Sequence, residues 1–162
     1  MKLFAALSLL SCIGLLGGCA SPRSLVPGQS SEADVHKRFG SPTDSRVDRN
    51  GERIWEYATG PEGFETYQVR FGADGKVKEV TQVLSEEQLN KVVPGTTNKA
   101  DVRLLLGRPL EEVTYMPGLT WSWRYMRIGS IPGWLIVTFN PDGTVRDKIA
   151  VVEQTNGDGE PD

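Results

Sequence analysis

With 162 residues the chain has room for one domain or two small ones, and its 38% hydrophobic fraction suits a folded core rather than a disordered chain. Its 18 basic and 21 acidic residues leave a formal charge of −3, with no basic run along the sequence. That mildly acidic balance argues against nucleic acid or anionic lipid as an electrostatic partner.

Residues 1–18 read as an export signal. Lys2 is the positive n-region, and 3–16 is an apolar stretch too short to span a bilayer comfortably. Leu16-Gly17-Gly18-Cys19 then resembles the bacterial lipoprotein processing box, in which small residues admit the peptidase and the Cys thiol takes a diacylglycerol. Cysteine usage agrees. Of the two cysteines, Cys12 leaves with the signal, and a lone thiol at Cys19 is unexpected in an exported protein unless something modifies it. The resemblance implies a diacylglycerol and an N-acyl chain on Cys19, each buried CH₂ contributing about 0.8 kcal/mol to anchoring. Ala20, rather than Asp, follows the cysteine, which by the same resemblance implies the Gram-negative outer membrane, facing the periplasm. Residues 19–24 are then a lipidated tether reaching at most about 20–25 Å, so the body sits close to the membrane.

Residues 25–84 form a first unit. Ser31 is a good helix N-cap, with Asp34 three residues on as its capping-box partner. Val35 and Phe39, at i and i+4, give that helix one buried edge, and Gly40 with Pro42 ends it. A hairpin is expected over 46–49 and 53–58, joined by Asn50-Gly51 as a type I′ turn. After a loop at 60–63, strands at 64–71 and 77–84 flank an Asp74-Gly75 turn.

Residues 85–153 form a second unit. Ser85 caps a helix carrying Leu89, Val92 and Val93, a turn follows at Pro94-Gly95, and Asn98 with Asp101 caps the next helix. Val102, Leu105 and Leu106 are its apolar edge. Strands are expected at 111–115, 119–127, 134–140 and 144–152, broken at 117–118, 129–133 and 141–143. The tail, 154–162, is Gly-rich and acidic and is expected to be disordered.

The two units match in order. At an offset of 67, Val26/Val93, Pro27/Pro94, Gly28/Gly95, Ala33/Ala100, Asp34/Asp101, Val35/Val102, Gly40/Gly107 and Pro42/Pro109 are identical pairs. At 68, Trp55, Tyr57, Val69, Phe71, Asp74, Gly75 and Val77 fall on Trp123, Tyr125, Val137, Phe139, Asp142, Gly143 and Val145. The expected fold is α+β: two tandem repeats, each of one or two short helices on a three- to four-stranded antiparallel meander.

No constellation looks catalytic. His36 is the only histidine and reads as solvated on the polar side of its helix. Asp34 and Asp101 sit where a carboxylate caps amides, and Asp74 and Asp142 are turn residues. No HExxH or CxxC supports a metal. The informative chemistry is aromatic: alternation sets Trp121, Trp123 and Tyr125 on one strand face, with packing beneath the helices their expected role. Trp134, with Ile128, Ile131 and Pro132, is either a core lid or a protein-contact anchor. Trp121, Ile131 and Trp134 are therefore the candidate protein-binding residues.

Over 91–147 the series Val93-Pro94-Gly95-Thr96-Thr97, Ala100-Asp101-Val102, Leu106-Gly107-Arg108-Pro109, Thr120-Trp121-Ser122-Trp123-Arg124-Tyr125 and Val137-Thr138-Phe139-Asn140-Pro141-Asp142-Gly143 resembles the SmpA/OmlA (BamE-like) family of outer-membrane lipoproteins. The resemblance implies a non-catalytic, protein-binding accessory scaffold in outer-membrane β-barrel assembly, with the β-barrel assembly machinery as partner. It implies no cofactor beyond the lipid on Cys19 and no small-molecule substrate. That family carries one such unit and this chain two, an arrangement similar to the β-lactamase inhibitory protein. The alternative it implies is a periplasmic protein-binding or inhibitor module unrelated to barrel assembly.

Overall fold

Ser31 opens the first element: its side chain accepts from the Asp34 N–H, and the Asp34 carboxylate accepts from the Ser31 N–H in return at 2.8 Å. Two amides that a helix start leaves orphaned are so satisfied, and α1 runs Glu32–Phe39. The computed structural model describes residues 25–59, 63–115, 118–127 and 129–153. The expected leader, Cys19 with its tether, and the acidic tail lie outside the described residues.

After α1 come β1 (Asp44–Val47), β2 (Arg53–Thr59), β3 (Glu65–Phe71) and β4 (Val77–Gln82), an antiparallel sheet in chain order. Two short helices follow, α2 (Glu86–Asn90) and α3 (Lys99–Leu106). The second sheet is β5 (Glu111–Tyr115), β6 (Gly118–Arg127), β7 (Ile131–Phe139) and β8 (Val145–Val152), again antiparallel in chain order. The architecture is α+β: two four-stranded antiparallel meanders with short helices.

Strand β2 is buried on both faces, and this fixes the layering. On one face Tyr57 joins Val35, Val69, Phe71 and Val77 in a core, with Phe39 and Trp55 packed against it, so α1 covers this side. On the other, Ile54 and Glu56 are buried as well, beneath α3. With its amide oxygen turned toward Arg46, Gln68 donates to the Leu104 carbonyl at 3.2 Å, and Arg46 Nη2 donates to the Arg103 carbonyl at the same distance. Helix α3 also sends Val102 and Leu106 into the second core, among Trp121, Trp123 and Tyr125 of β6 and Leu135, Val137 and Phe139 of β7. The order through the molecule is α1, first sheet, α3, second sheet. Each full burial of a large apolar side chain contributes about 1.5–3 kcal/mol. The second core holds thirteen buried side chains among the described residues against five in the first. The second core is the larger of the two.

The halves use the same backbone bonds at matching places. Gly28 N–H donates to the Val77 carbonyl and Gly95 N–H to that of Val145, both at 2.8 Å. Val77 N–H donates to Ser30 and Val145 N–H to Thr97, again both at 2.8 Å. The β3–β4 register shifts at Arg70/Phe71, and the β7–β8 register at Thr138/Phe139.

Three sequence expectations need correction. The Asn50-Gly51 turn is not type I′, because only Gly51 (φ 79°) has positive φ there. Asp48 closes the loop instead, its Oδ1 accepting from the N–H groups of Asn50 and Glu52, and β1 ends at Val47. Helix α2 stops at Asn90, leaving Val92 buried but Val93 half-exposed. The expected break at 129–133 is shorter, since Ile131, Pro132 and Gly133 belong to β7. Gly133 reads as a turn residue in sequence, yet it is needed inside the sheet: a Cβ there would lie 2.9 Å from the Val151 carbonyl oxygen.

Candidate functional site

The polar centre of the molecule is the seam between the first sheet and α3. Glu56 is 2% exposed, and charges are rarely buried without partners. Its Oε2 accepts from Arg46 Nη1 of β1 at 2.6 Å and from Arg103 Nη1 of α3 at 3.0 Å. Its Oε1 accepts from the Arg108 backbone N–H at 2.6 Å. Asp44 faces Glu56 across the β1–β2 register and pairs with both guanidiniums. Two cations and two anions thus balance. Gly107 closes the seam: a Cβ there would lie 2.7 Å from Glu56 Oε1. The oxygens of Glu56 face protein donors on three segments, an arrangement suited to fixing one half against the other.

Sequence reasoning missed this seam. Its signal was an acid between Trp55 and Tyr57 in a strand, at the place where the second half carries Arg124. A crevice of about 250 Å³ opens beside it, with Thr43, Thr66, Leu84, Pro109 and Trp123 in its wall. Its buried charge, Glu56, is already bonded. Among the described residues no group of three or more His, Cys, Asp and Glu could hold a metal ion, and no helix is long and apolar enough to cross a membrane.

The three candidate binding residues do not come together. Trp121 is 4% exposed in the second core, edge-on to Phe139 at 5.0 Å and with the Lys99 ammonium 4.9 Å from its ring centre. Burial removes it as a contact anchor. Trp134 lies on the opposite, outer face, half-buried, paired with Arg124 on β6 and Val151 on β8. The Arg124 guanidinium stands 5.5 Å from the Trp134 ring centre and 4.6 Å from that of Phe64, and bonds Glu153 at 2.6 Å. Ile131, 47% exposed, stands at the rim where β7 begins. The exposed apolar side chains that do gather are on β8: Ile149, Val151 and Val152.

The cap residues stand at helix starts. The Ser31 backbone and side-chain bonds hold the Asp34 carboxyl below its ordinary value. Asn98 Oδ1 accepts from the Asp101 N–H at 3.0 Å. The Asp101 carboxylate lies 3.6 Å from Arg49, so α3 has the forward cap bond, with its first-turn acid facing the first half. Cys19 lies outside the described residues.

Fold and seam define a two-sheet α+β protein whose most buried charges serve architecture. No family model matches the chain, and no curated protein matches it. Among solved structures it is similar to a DUF4309 family protein (YjgB) from Bacillus subtilis, at 19% identity over 81% of this chain and 84% of that one, with a TM-score of 0.31. Similarity at that level supports no statement about function.

Proposed function

We propose that this chain is a lipid-anchored protein of the Gram-negative outer membrane, facing the periplasm. It consists of two tandem SmpA/OmlA-like units, 25–84 and 85–153, and acts without catalysis as an accessory scaffold in β-barrel assembly. The observation that carries the reading is the matched backbone bonding at Gly28/Gly95 and at Ser30/Thr97, which accompanies the identical sequence pairs and is what duplication of one unit would leave. Engagement of Glu56, Arg46, Arg103 and Asp44 in the seam favours binding over chemistry. The lipid on Cys19 confines the body to within a short tether of the membrane.

The test is a cross-linked pull-down of the lipidated protein from intact cells, with Cys19→Ala as control. Recovery of barrel-assembly proteins, lost in the control, supports the scaffold. A second reading, a binding or inhibitor module of the β-lactamase-inhibitory-protein kind, draws on the exposed Ile149 and Val151 of the second sheet. Recovery of one soluble periplasmic partner, unchanged by Cys19→Ala, would favour it. Barrel proteins recovered equally with and without Cys19 would remove the anchor from the scheme.

A further inference from the structure

Two open meanders expose four strand edges, and three of them are guarded. Strand β1 has four residues, with Asp44 and Arg46 among them. Strand β5 opens on exposed Glu111 and Glu112, and β4 carries exposed Lys78 and Glu79. Short length and charge are the usual protections against pairing with another chain. Strand β8 has eight residues, and its first half carries Arg146, Asp147 and Lys148, as β4 carries Lys78 and Glu79. But where the end of β4 is half-buried, the last four residues of β8, Ile149, Ala150, Val151 and Val152, are uncharged and exposed, three of them at 39–48%.

The backbone phase of that edge is fixed. Glu153 N–H donates to the Pro132 carbonyl at 3.0 Å, continuing the register in which Gly133 pairs with Val152. Odd-numbered residues here turn their backbone groups toward β7, and Lys148, Ala150 and Val152 turn theirs outward. The Lys148 N–H is already taken by Asp147 Oδ1 at 2.8 Å. Among the described residues nothing bonds the outward backbone groups of Ala150 and Val152.

The geometry points to a second copy of this chain as the occupant, paired antiparallel through β8 about a two-fold axis at Val151. Facing side chains must share a side of the sheet, so the axis has to pass through a residue. Centring on Ala150 would oppose Asp147 to Glu153 of the second copy, like charge to like. Centring on Ile149 would need the Lys148 N–H that Asp147 holds, and centring on Lys148 would set that cation against itself. Centring on Val152 would leave only Val152 itself facing a strand residue, with Ala150 and Val151 opposite chain beyond the end of β8. Centring on Val151 pairs Ala150 with Val152 twice, making four backbone hydrogen bonds, and sets Val151 against Val151. The ladder β5-β6-β7-β8 continues into an eight-stranded sheet, and the open edge disappears. So short an overlap buries less than the roughly 1,000 Å² of a stable interface, so the pairing is weak in dilute solution and is read by trapping.

In such a non-hydrogen-bonded antiparallel pair the facing Cα atoms are about 4.5 Å apart, inside disulfide reach. The full chain carrying Val151→Cys, oxidised in intact cells and run on a non-reducing gel, is expected to give a covalent homodimer absent from the parent chain. Ile149→Cys, at a comparably exposed position, would lie about 13 Å along the strand from its own mate and should stay at the parent level. The parent reports any background from Cys12 and Cys19, whatever the lipidation of Cys19, so the outcome is separate from that reading. Val152→Lys added to Val151→Cys should lower the trapped fraction, and unchanged thermal midpoints show that the variants fold. No homodimer at Val151→Cys, equal trapping at positions 149 and 151, or a trapped species that is not twice the chain mass would overturn the proposal.

Discussion

Replacing Glu56 by Ala removes the acceptor that three segments share. Taking one partner from a buried ion pair typically costs about 3–5 kcal/mol, because the other charge is left uncompensated. Two features of the seam pull this toward the lower end. Asp44 remains to pair with both guanidiniums, and the Arg46 and Arg103 side chains are 16% and 24% exposed, so water reaches them. Against this, the Arg108 N–H loses its acceptor and the missing carboxylate leaves a hole. The expected loss is about 3 kcal/mol, or about 6–12 °C in the unfolding midpoint at roughly 2–4 °C per kcal/mol. Glu56→Gln, which keeps the volume and one carbonyl oxygen, should lose less.

Heat and urea unfolding, followed by far-UV circular dichroism and Trp fluorescence, measure it. In the parent chain the probes should coincide in one transition, because α3 belongs to both packing layers. In Glu56→Ala the first sheet, with the smaller core, should melt ahead of the second, and Trp55 would report it before Trp121 and Trp123. A loss below about 0.5 kcal/mol, the scatter of ordinary surface substitutions, would refute the seam as a stabilising lock.

Gly107→Ala attacks the same seam from α3. Gly107 sits at φ 76° and ψ −165°, a region essentially restricted to Gly, and the carboxylate it would strike is held by three donors; a loss of about 1–3 kcal/mol in urea unfolding is expected. Asn98→Ala and Ser31→Ala should each cost about 0.5–2 kcal/mol as lost caps, read in the same assay. The Tyr57 hydroxyl is buried without a hydrogen-bond partner among the described residues, so Tyr57→Phe should leave stability unchanged or raise it by up to about 1 kcal/mol. Burial opposes ionisation of Asp48, but N–H bonds from Glu52 and Asn50 and the Arg70 charge hold its carboxyl below 3.8. A depressed folded pKa gives stability that is present above the unfolded value and lost as pH falls through the folded one. The midpoint should therefore drop on acidification below about pH 4, and by less in Asp48→Asn; an identical acid profile in the two chains would contradict this.

What was legible in the sequence was local. Ser31 and Asp34 marked a helix start because the bonds they make span three residues, and that information is complete within them. Alternation placed Trp121, Trp123 and Tyr125 on a common face because strand geometry has period two, wherever the strand lies in the fold. Turn chemistry was legible less often, since it depends on which neighbour takes the backbone bonds. Asn50-Gly51 has the composition of a type I′ turn, but the Asp48 carboxylate competes for the N–H groups of Asn50 and Glu52 and wins. Gly133 misled for the opposite reason, being small for the sake of Val151 on a neighbouring strand rather than for its own conformation.

The seam and the outer face were beyond such reading because both depend on how the halves stack. Sequence pairing puts Glu56 opposite Arg124, as a point where two similar units differ. The fold gives that difference a cause. The Glu56 face receives α3, whose Arg103 side chain donates to it, and the segment just after α3, where the Arg108 backbone N–H donates. The corresponding face of the second sheet meets no helix among the described residues, and there Arg124 stands over Trp134 and Phe64 with Glu153 as its counter-charge. An acid at position 124 would lose that pairing with Glu153 and set like charges together. The charge at this place follows what meets the sheet: an anion where α3 and β1 bring cations, and a cation where the end of β8 brings an acid.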